Sequence, residues 1–151
     1  MKVKKAIYHI SKSRYGNVLT IDQWHKQRGW SGVGYNLIIL NGWITPDIYN
    51  PMFDGFIEVG RPFDADNVIS GKEIGAHTLG YNSESFGICM ISDKGEDITL
   101  KQKDSMLWTM RMFQNINPDI EFGGHSDYDS KKPYCPGIDI KEFAKKYKLI
   151  K

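Results

Sequence analysis

Apolar residues come in short blocks along this chain, and the spacing inside each block separates strands from helices. Residues 3–10, VKKAIYHI, form a compact apolar run that gives way to Ser, Lys, Gly and Asn, which predicts a first strand ending at His9 and a loop after it. Residues 20–29, TIDQWHKQRG, open with Thr20, carry Gln23 three positions on and stop at Gly29, the pattern of a short helix with a capping box. YNLIIL at 35–40 predicts a strand with Asn41-Gly42 turn chemistry behind it, and GFIEVGR at 55–61 predicts its antiparallel partner. Between them, WITPDIYNPMFD contains two prolines and is too long for a tight turn, so an elaborated, aromatic-rich hairpin loop is expected. SFGICMIS at 85–92 is the most apolar run and predicts a central strand. From Thr99, with Gln102 three residues later, Leu100, Lys103, Leu107, Met110 and Phe113 recur near helical spacing to residue 116, with Met106 and Trp108 broadening the stripe. IEFGGHS predicts a short strand, and Asp139 caps a last helix, IKEFAKKYK.

This alternation predicts a mixed α/β fold, one central mixed β-sheet flanked by helices. A length of 151 residues suits one hydrophobic core, so residues 1–151 are read as a single domain. No repeat, linker or low-complexity tract interrupts it.

Composition removes several function classes. The 20 basic and 18 acidic side chains leave a net charge of +2, without the concentrated basic face that nucleic acid requires. No run approaches the roughly 18 apolar residues of a membrane span. The opening MKVKKAIYHISKSRYG has a four-residue apolar run broken by His9, too short for a secretory signal, so synthesis in the cytoplasm without a Sec-type leader is expected. Two cysteines are too few for a disulfide framework. Cys89, inside the apolar run, reads as a small buried filler, whereas Cys135 lies in the polar loop of GGHSDYDSKKPYCPG, a setting for reactivity or ligation.

Soft thiolate and imidazole donors suit zinc, and a catalytic zinc site commonly takes three protein ligands. His9 and His125, each at a strand end, and Cys135 are candidates. Spacing alone does not distinguish such a site from three unrelated residues, because no CxxC or HExxH pair fixes the geometry.

Five ordered motifs add what spacing lacks: AIYHIS, WHKQRGWSGVGYNLII, VGR, GAHTLGYNSESFGICMIS and GGHSDYDSKKPYCPGIDI. In this order they resemble the zinc-dependent N-acetylmuramoyl-L-alanine amidases, the superfamily that includes peptidoglycan recognition proteins, and most of all its small phage amidases. The resemblance spans about residues 6 to 143. It implies a Zn2+ ion held by His9, His125 and Cys135, a water-facing Tyr35, and a lysine before the cysteine that falls on Lys132. That lysine departs from the family's spacing, since Pro133 occupies the usual position and Lys131 stands next to Lys132. Relatives usually follow the tyrosine with histidine, and here Asn36 stands there as an outer contact to substrate or metal water. His77 and Asn82, in the GAHTLGYN motif, are read as substrate contacts or as loop-holding hydrogen-bond partners. His25 is read as structural, packed between Trp24 and Trp30.

The implied reaction is hydrolysis of the amide between N-acetylmuramic acid and L-alanine in peptidoglycan, with zinc activating water, Lys132 or Lys131 relieving oxyanion charge, and Tyr35 orienting the water. The implied protein is a monomer acting on the bacterial wall, with no nucleic-acid or membrane partner, in the manner of a phage endolysin released through a holin pore. A non-catalytic peptidoglycan-recognition module and a structural zinc site are the rival readings. The hairpin aromatics Trp43, Tyr49 and Phe53 are read first as self-packing and second as a wall of the substrate groove.

Overall fold

The computed structural model describes residues 1–150. Its centre is a five-stranded sheet in the order β3-β2-β4-β1-β5, formed by β1 (Lys5–Ile10), β2 (Leu37–Thr45), β3 (Ile48–Val59), β4 (Ser85–Met90) and β5 (Glu121–Gly124). β1 is parallel to β4 and β5, β2 is parallel to β4, and β3 is antiparallel to β2. Three helices, α1 (Val18–Gln27), α2 (Leu100–Ile116) and α3 (Ile140–Lys146), complete the mixed α/β architecture that the alternation predicts. β4 is the middle strand, and all six of its residues are buried because both sheet faces are covered there.

Helix starts follow side-chain chemistry, with one shift. α1 is capped by Asn17 rather than Thr20: the Asn17 side chain accepts the Thr20 N–H at 3.0 Å, and Thr20 closes the capping box from the third helical position. α2 starts where expected, the Thr99 hydroxyl accepting from Gln102 N and the Gln102 amide oxygen from Thr99 N, both at 3.0 Å. Its buried face is Gln102, Met106, Thr109, Met110 and Phe113, whereas Leu100 and Trp108 of the expected stripe are largely exposed. Gln102 is buried at no polar cost, since Nε2 donates to the carbonyls of Ile39 and Ile91 at 3.0 and 2.9 Å.

Strand alternation divides the core between the two faces. Tyr8, Ile10, Ile39, Phe86, Ile88 and Met90 belong to the cluster shared with α2 and α3, where Phe86 stacks on Phe113 with centroids 4.9 Å apart. Burial of a side chain such as Phe113 contributes about 2–3 kcal/mol. Ile38, Leu40, Cys89 and Ile91 pack with Ile21 of α1 on the other face. His9, between Tyr8 and Ile10, therefore points to the α1 side.

The segment after β2 corrects the expected loop. The chain continues as strand through Asn41-Gly42 and turns at Pro46-Asp47, so residues 37–59 form one long hairpin. Register shifts near Asn41 and Trp43 mark bulges, and Gly42, with φ +94°, supplies backbone freedom there rather than at a turn.

Candidate metal centre and its cleft

The parallel register of β1 and β5 brings two histidines together. Tyr8 is paired with Gly124, so His9 on β1 comes beside His125, the first residue after β5, and their ring centroids lie 4.5 Å apart. The chain then makes a compact loop in which Asp129 N donates to His125 O, Lys132 N to Asp129 O, and Ser126 N to the carbonyl of Cys135. These bonds return Cys135 to the end of β1, where Ile10 N–H points at its sulfur at 3.5 Å. Gly124 permits the close approach, because a Cβ there would stand 2.5 Å from Pro136 Cδ.

His9 Nδ1 is 3.1 Å from His125 Nδ1 and 4.0 Å from Cys135 Sγ, and the three donor atoms all lie within 4.8 Å of one another. Donors around one tetrahedral zinc-type ion stand about 3.3–3.6 Å apart. The far nitrogens have polar neighbours of their own. His9 Nε2 faces His77 Nδ1 at 3.0 Å, and His125 Nε2 faces the Asp129 carboxylate at 3.7 Å. When each Nε2 carries the proton, two Nδ1 lone pairs and a sulfur converge on one point, an arrangement that repels itself unless a cation lies between them. The donor set therefore fits a metal ion, with His77 and Asp129 as the outer partners that fix ring orientation.

The electrostatics of the two histidines agree with that reading. Burial holds the His9 pKa well below its usual value, and the neighbouring His77 and His125 lower it further, so its imidazole is neutral. Burial and then Lys132 lower His125, against the opposing pull of Asp129. Burial pushes the Cys135 thiol up, while Ile10 N–H, Lys12 and Lys132 favour the thiolate. Ligation selects the thiolate outright.

The donors sit in a cleft of about 530 Å³ that also takes in Tyr35, Lys132, Lys12 and Trp30. No protein-family model matches the sequence. Curated relatives do: the endolysin of Enterobacteria phage T3 is 31% identical over 139 residues, and that of Enterobacteria phage K11 is 30% identical over 139 residues, each alignment covering 88% of this chain and 78% of the relative. Among solved structures, the N-acetylmuramoyl-L-alanine amidase LysC from Clostridium intestinale URNW superposes with a TM-score of 0.74 at 27% identity, over 97% of this chain and 86% of the other.

The chain belongs to the amidase-type phage endolysins.

Within this endolysin the remaining expected residues separate. Tyr35 lines the cleft with its ring 5.1 Å from that of His9, and burial, with the Cys89 and Cys135 thiols beside it, holds its pKa well above the usual value. It stays a protonated hydroxyl, able to donate. Both lysines are exposed, but Lys132 lines the cleft, whereas the backbone N–H of Lys131 donates to the Asp129 carboxylate. His25 is buried, accepts the Gly34 N–H at Nδ1 and packs against Trp30, as a structural histidine does.

His77 is 8% exposed, and its nitrogens face His9, Thr78 and Ser85. Burial depresses its pKa to about 4, against the opposing contact with Ser85. Gly87 makes room for the ring, since a Cβ there would stand 2.5 Å from His77 Cγ. Asn82 accepts the N–H groups of His77 and Thr78, both at 2.9 Å, and so fixes the loop that carries them. Asn36 departs from the expectation of an outer contact: it is fully buried and does not line the cleft, and its amide accepts from Gly87 N and donates to Glu73 O. Sequence reasoning missed Asp129, which its position four residues after His125 could have flagged. It also missed Thr78 and Ser85, for which the sequence holds no signal.

Proposed function

We propose that His9, His125 and Cys135 hold a zinc ion, and that this endolysin uses it to hydrolyse the amide between N-acetylmuramic acid and L-alanine in bacterial peptidoglycan. The observation that carries the reading is the convergence of three metal donors from three distant parts of the chain on the floor of one cleft, in a protein of the amidase family. Zinc in such a donor set acts as a Lewis acid toward a carbonyl and toward water.

The chain's own residues do the rest. Hydrolysis joins a water oxygen to the carbonyl carbon, breaks the C–N bond and places a proton on the leaving amine. Tyr35, protonated because of its burial, would donate a hydrogen bond from Oη that orients the attacking oxygen, and the proton that the water gives up would pass by way of this hydroxyl to the leaving amine, leaving Tyr35 protonated as before. Lys132 Nζ stabilises the developing oxyanion, needed all the more because a thiolate ligand weakens the metal as an electrophile. Donors of this kind contribute about 3–4 kcal/mol to the transition state. His77 and Asp129 act on the ligands, keeping both Nδ1 atoms aimed inward.

The same reading makes residues 1–151 one catalytic domain that works as a monomer on the wall, reaching it through a holin-type pore. A recognition module without catalysis is disfavoured by Cys135, since losing that ligand is how such a module dispenses with the metal.

The test is elemental analysis of purified wild type and Cys135→Ala, with release of L-alanine amino termini from purified peptidoglycan assayed on the same samples. About one zinc per chain with amine release, both lost in the variant, is expected. Zinc in wild type without amine release would overturn the amidase mechanism and leave Tyr35 and Lys132 without catalytic roles.

A further inference from the structure

Beside the cleft, the far side of the loop between β1 and α1 holds a second cavity of about 510 Å³, walled by Arg14, Tyr15, Trp24, Trp43 and Asp93. Lys12 lines both this cavity and the catalytic cleft, so one leads to the other across a single side chain. A third cavity of about 550 Å³ shares Arg14, Trp43 and Asp93 with the second and continues to Tyr49, Asp54, Asp97 and Thr99. Through these shared residues the three cavities adjoin one another in a row, a track from the donors to the hairpin. We propose that this track binds the glycan strand of the wall polymer, as a run of neutral N-acetylated pyranoses. The proposal rests on the peptidoglycan reading above and extends it to where the polymer lies beyond the scissile bond.

The track is built rather than incidental. Trp43 is 41% exposed and Tyr49 47% exposed, with ring centroids 5.1 Å apart, two large aromatic surfaces left open on a hairpin. The hairpin is tied to the β1–α1 loop, Gly16 N donating to Trp43 O at 2.9 Å and Asn41 Nδ2 to Arg14 O at 3.0 Å. Gly42 seats the Tyr49 ring, because a Cβ there would stand 2.5 Å from its Cε2. Tyr15 and Trp24 pack edge to face opposite, at 5.8 Å. Aromatic walls with a few fixed polar groups are the chemistry of a ligand pocket. The C–H faces of a pyranose stack on indole and phenol rings, and its hydroxyl and acetamido groups meet Arg14, Asp93 and Asp54.

In the far cavity charge favours the sugar over the peptide, whereas the nearer cavity sets Lys12 and Arg14 against Asp93. Asp54, Asp93 and Asp97 line the far cavity against one cation, Arg14. A carboxylate-bearing stem peptide is repelled there, whereas an uncharged sugar is not.

The experiment titrates a peptide-free N-acetylglucosamine tetramer into the full chain, read by calorimetry and tryptophan fluorescence. Wild type is expected to bind, and Trp43→Ala and Tyr49→Ala each to weaken binding at least about tenfold. Both side chains are exposed enough for the variants to fold, which circular dichroism checks. In parallel, the ratio of activity on long-glycan wall to activity on a muramoyl-L-alanine peptide fragment is expected to fall in the same variants. A tetramer that fails to bind wild type, binds the variants equally, or is displaced by a free stem peptide overturns the proposal. Failure of the amidase reading is distinguishable, because it would appear as no turnover of the short fragment by wild type.

Discussion

His77 lines the cleft beside His9 without being one of the three proposed metal donors, and its removal is expected to loosen the proposed zinc. In His77→Ala the acceptor facing His9 Nε2 at 3.0 Å disappears, and the ring of a metal ligand loses the contact that fixes both its tautomer and its tilt. Loss of such an outer partner costs about 10–100-fold in metal affinity, or about 1.4–2.7 kcal/mol. Thr78 Oγ1 lies 3.4 Å from the same nitrogen and can recover part of the bond, which puts the expected loss in the lower half, about 10–30-fold. The assay is competition for zinc against a chelating indicator of known affinity, on wild type, His77→Ala and His77→Gln. Circular dichroism and a thermal melt establish that each is folded. The glutamine variant, which retains an acceptor, is expected to regain part of the affinity, a recovery that mere loss of packing would not produce. A folded His77→Ala protein that binds zinc within about threefold of wild type refutes the argument that the His9–His77 pair orients the ligand.

Three further outcomes follow from the same geometry. Lys132→Ala is expected to lower kcat by about 10²–10³-fold with zinc content intact, while Lys131→Ala stays within about twofold; equal losses in both would assign the effect to loop charge. Asn36→Ala strands the buried Gly87 N–H and Glu73 carbonyl and is expected to cost about 2–4 kcal/mol of stability by denaturant unfolding, without raising KM. Glu84 is held below its ordinary pKa of 4.5 by Lys4 and Lys5, at 2.9 and 3.3 Å, so its contribution to stability is full above that value and is lost as pH falls through the lower folded-state value. Melting temperatures of wild type and Glu84→Gln should therefore differ at neutral pH and converge in acid, with added salt shrinking the difference; a constant gap would contradict this.

The sequence made the regular elements legible wherever local chemistry decides them. The Thr99–Gln102 box, the apolar block of β4 and the Asp139 cap are local signals, and each stands where it was expected. The hairpin was misjudged because Asn-Gly signals a turn from its own preferences alone, and the same pair serves a bulge when cross-strand pairing continues past it. The grouping of His9, His125 and Cys135 was legible only through whole-chain motifs, since the meeting of His9 and His125 depends on a parallel register between strands separated by most of the sequence. Asn36 was misassigned for a simpler reason: in extended chain, neighbours face opposite sides, so Tyr35 in the cleft sends Asn36 under the β4 backbone. The lysine could not be resolved from spacing, because the turn through Asp129 rather than the residue count determines which ammonium reaches the cleft.

The separations of the donors along the chain set a timetable. His9 stands 116 residues from His125 and 126 from Cys135, so His9 has neither of the other two candidate donors beside it until β5 has docked and the following loop has closed. A cation seated there latches the first strand to the last loop, spanning a gap whose closure entropy rises only slowly with length, and its binding strengthens the finished fold by mass action. Competence therefore arrives late and all at once. A growing or half-folded chain holds isolated histidines and a thiol, and on the proposed zinc reading it becomes a wall-cutting enzyme only when β1 and the loop after β5 are fastened together.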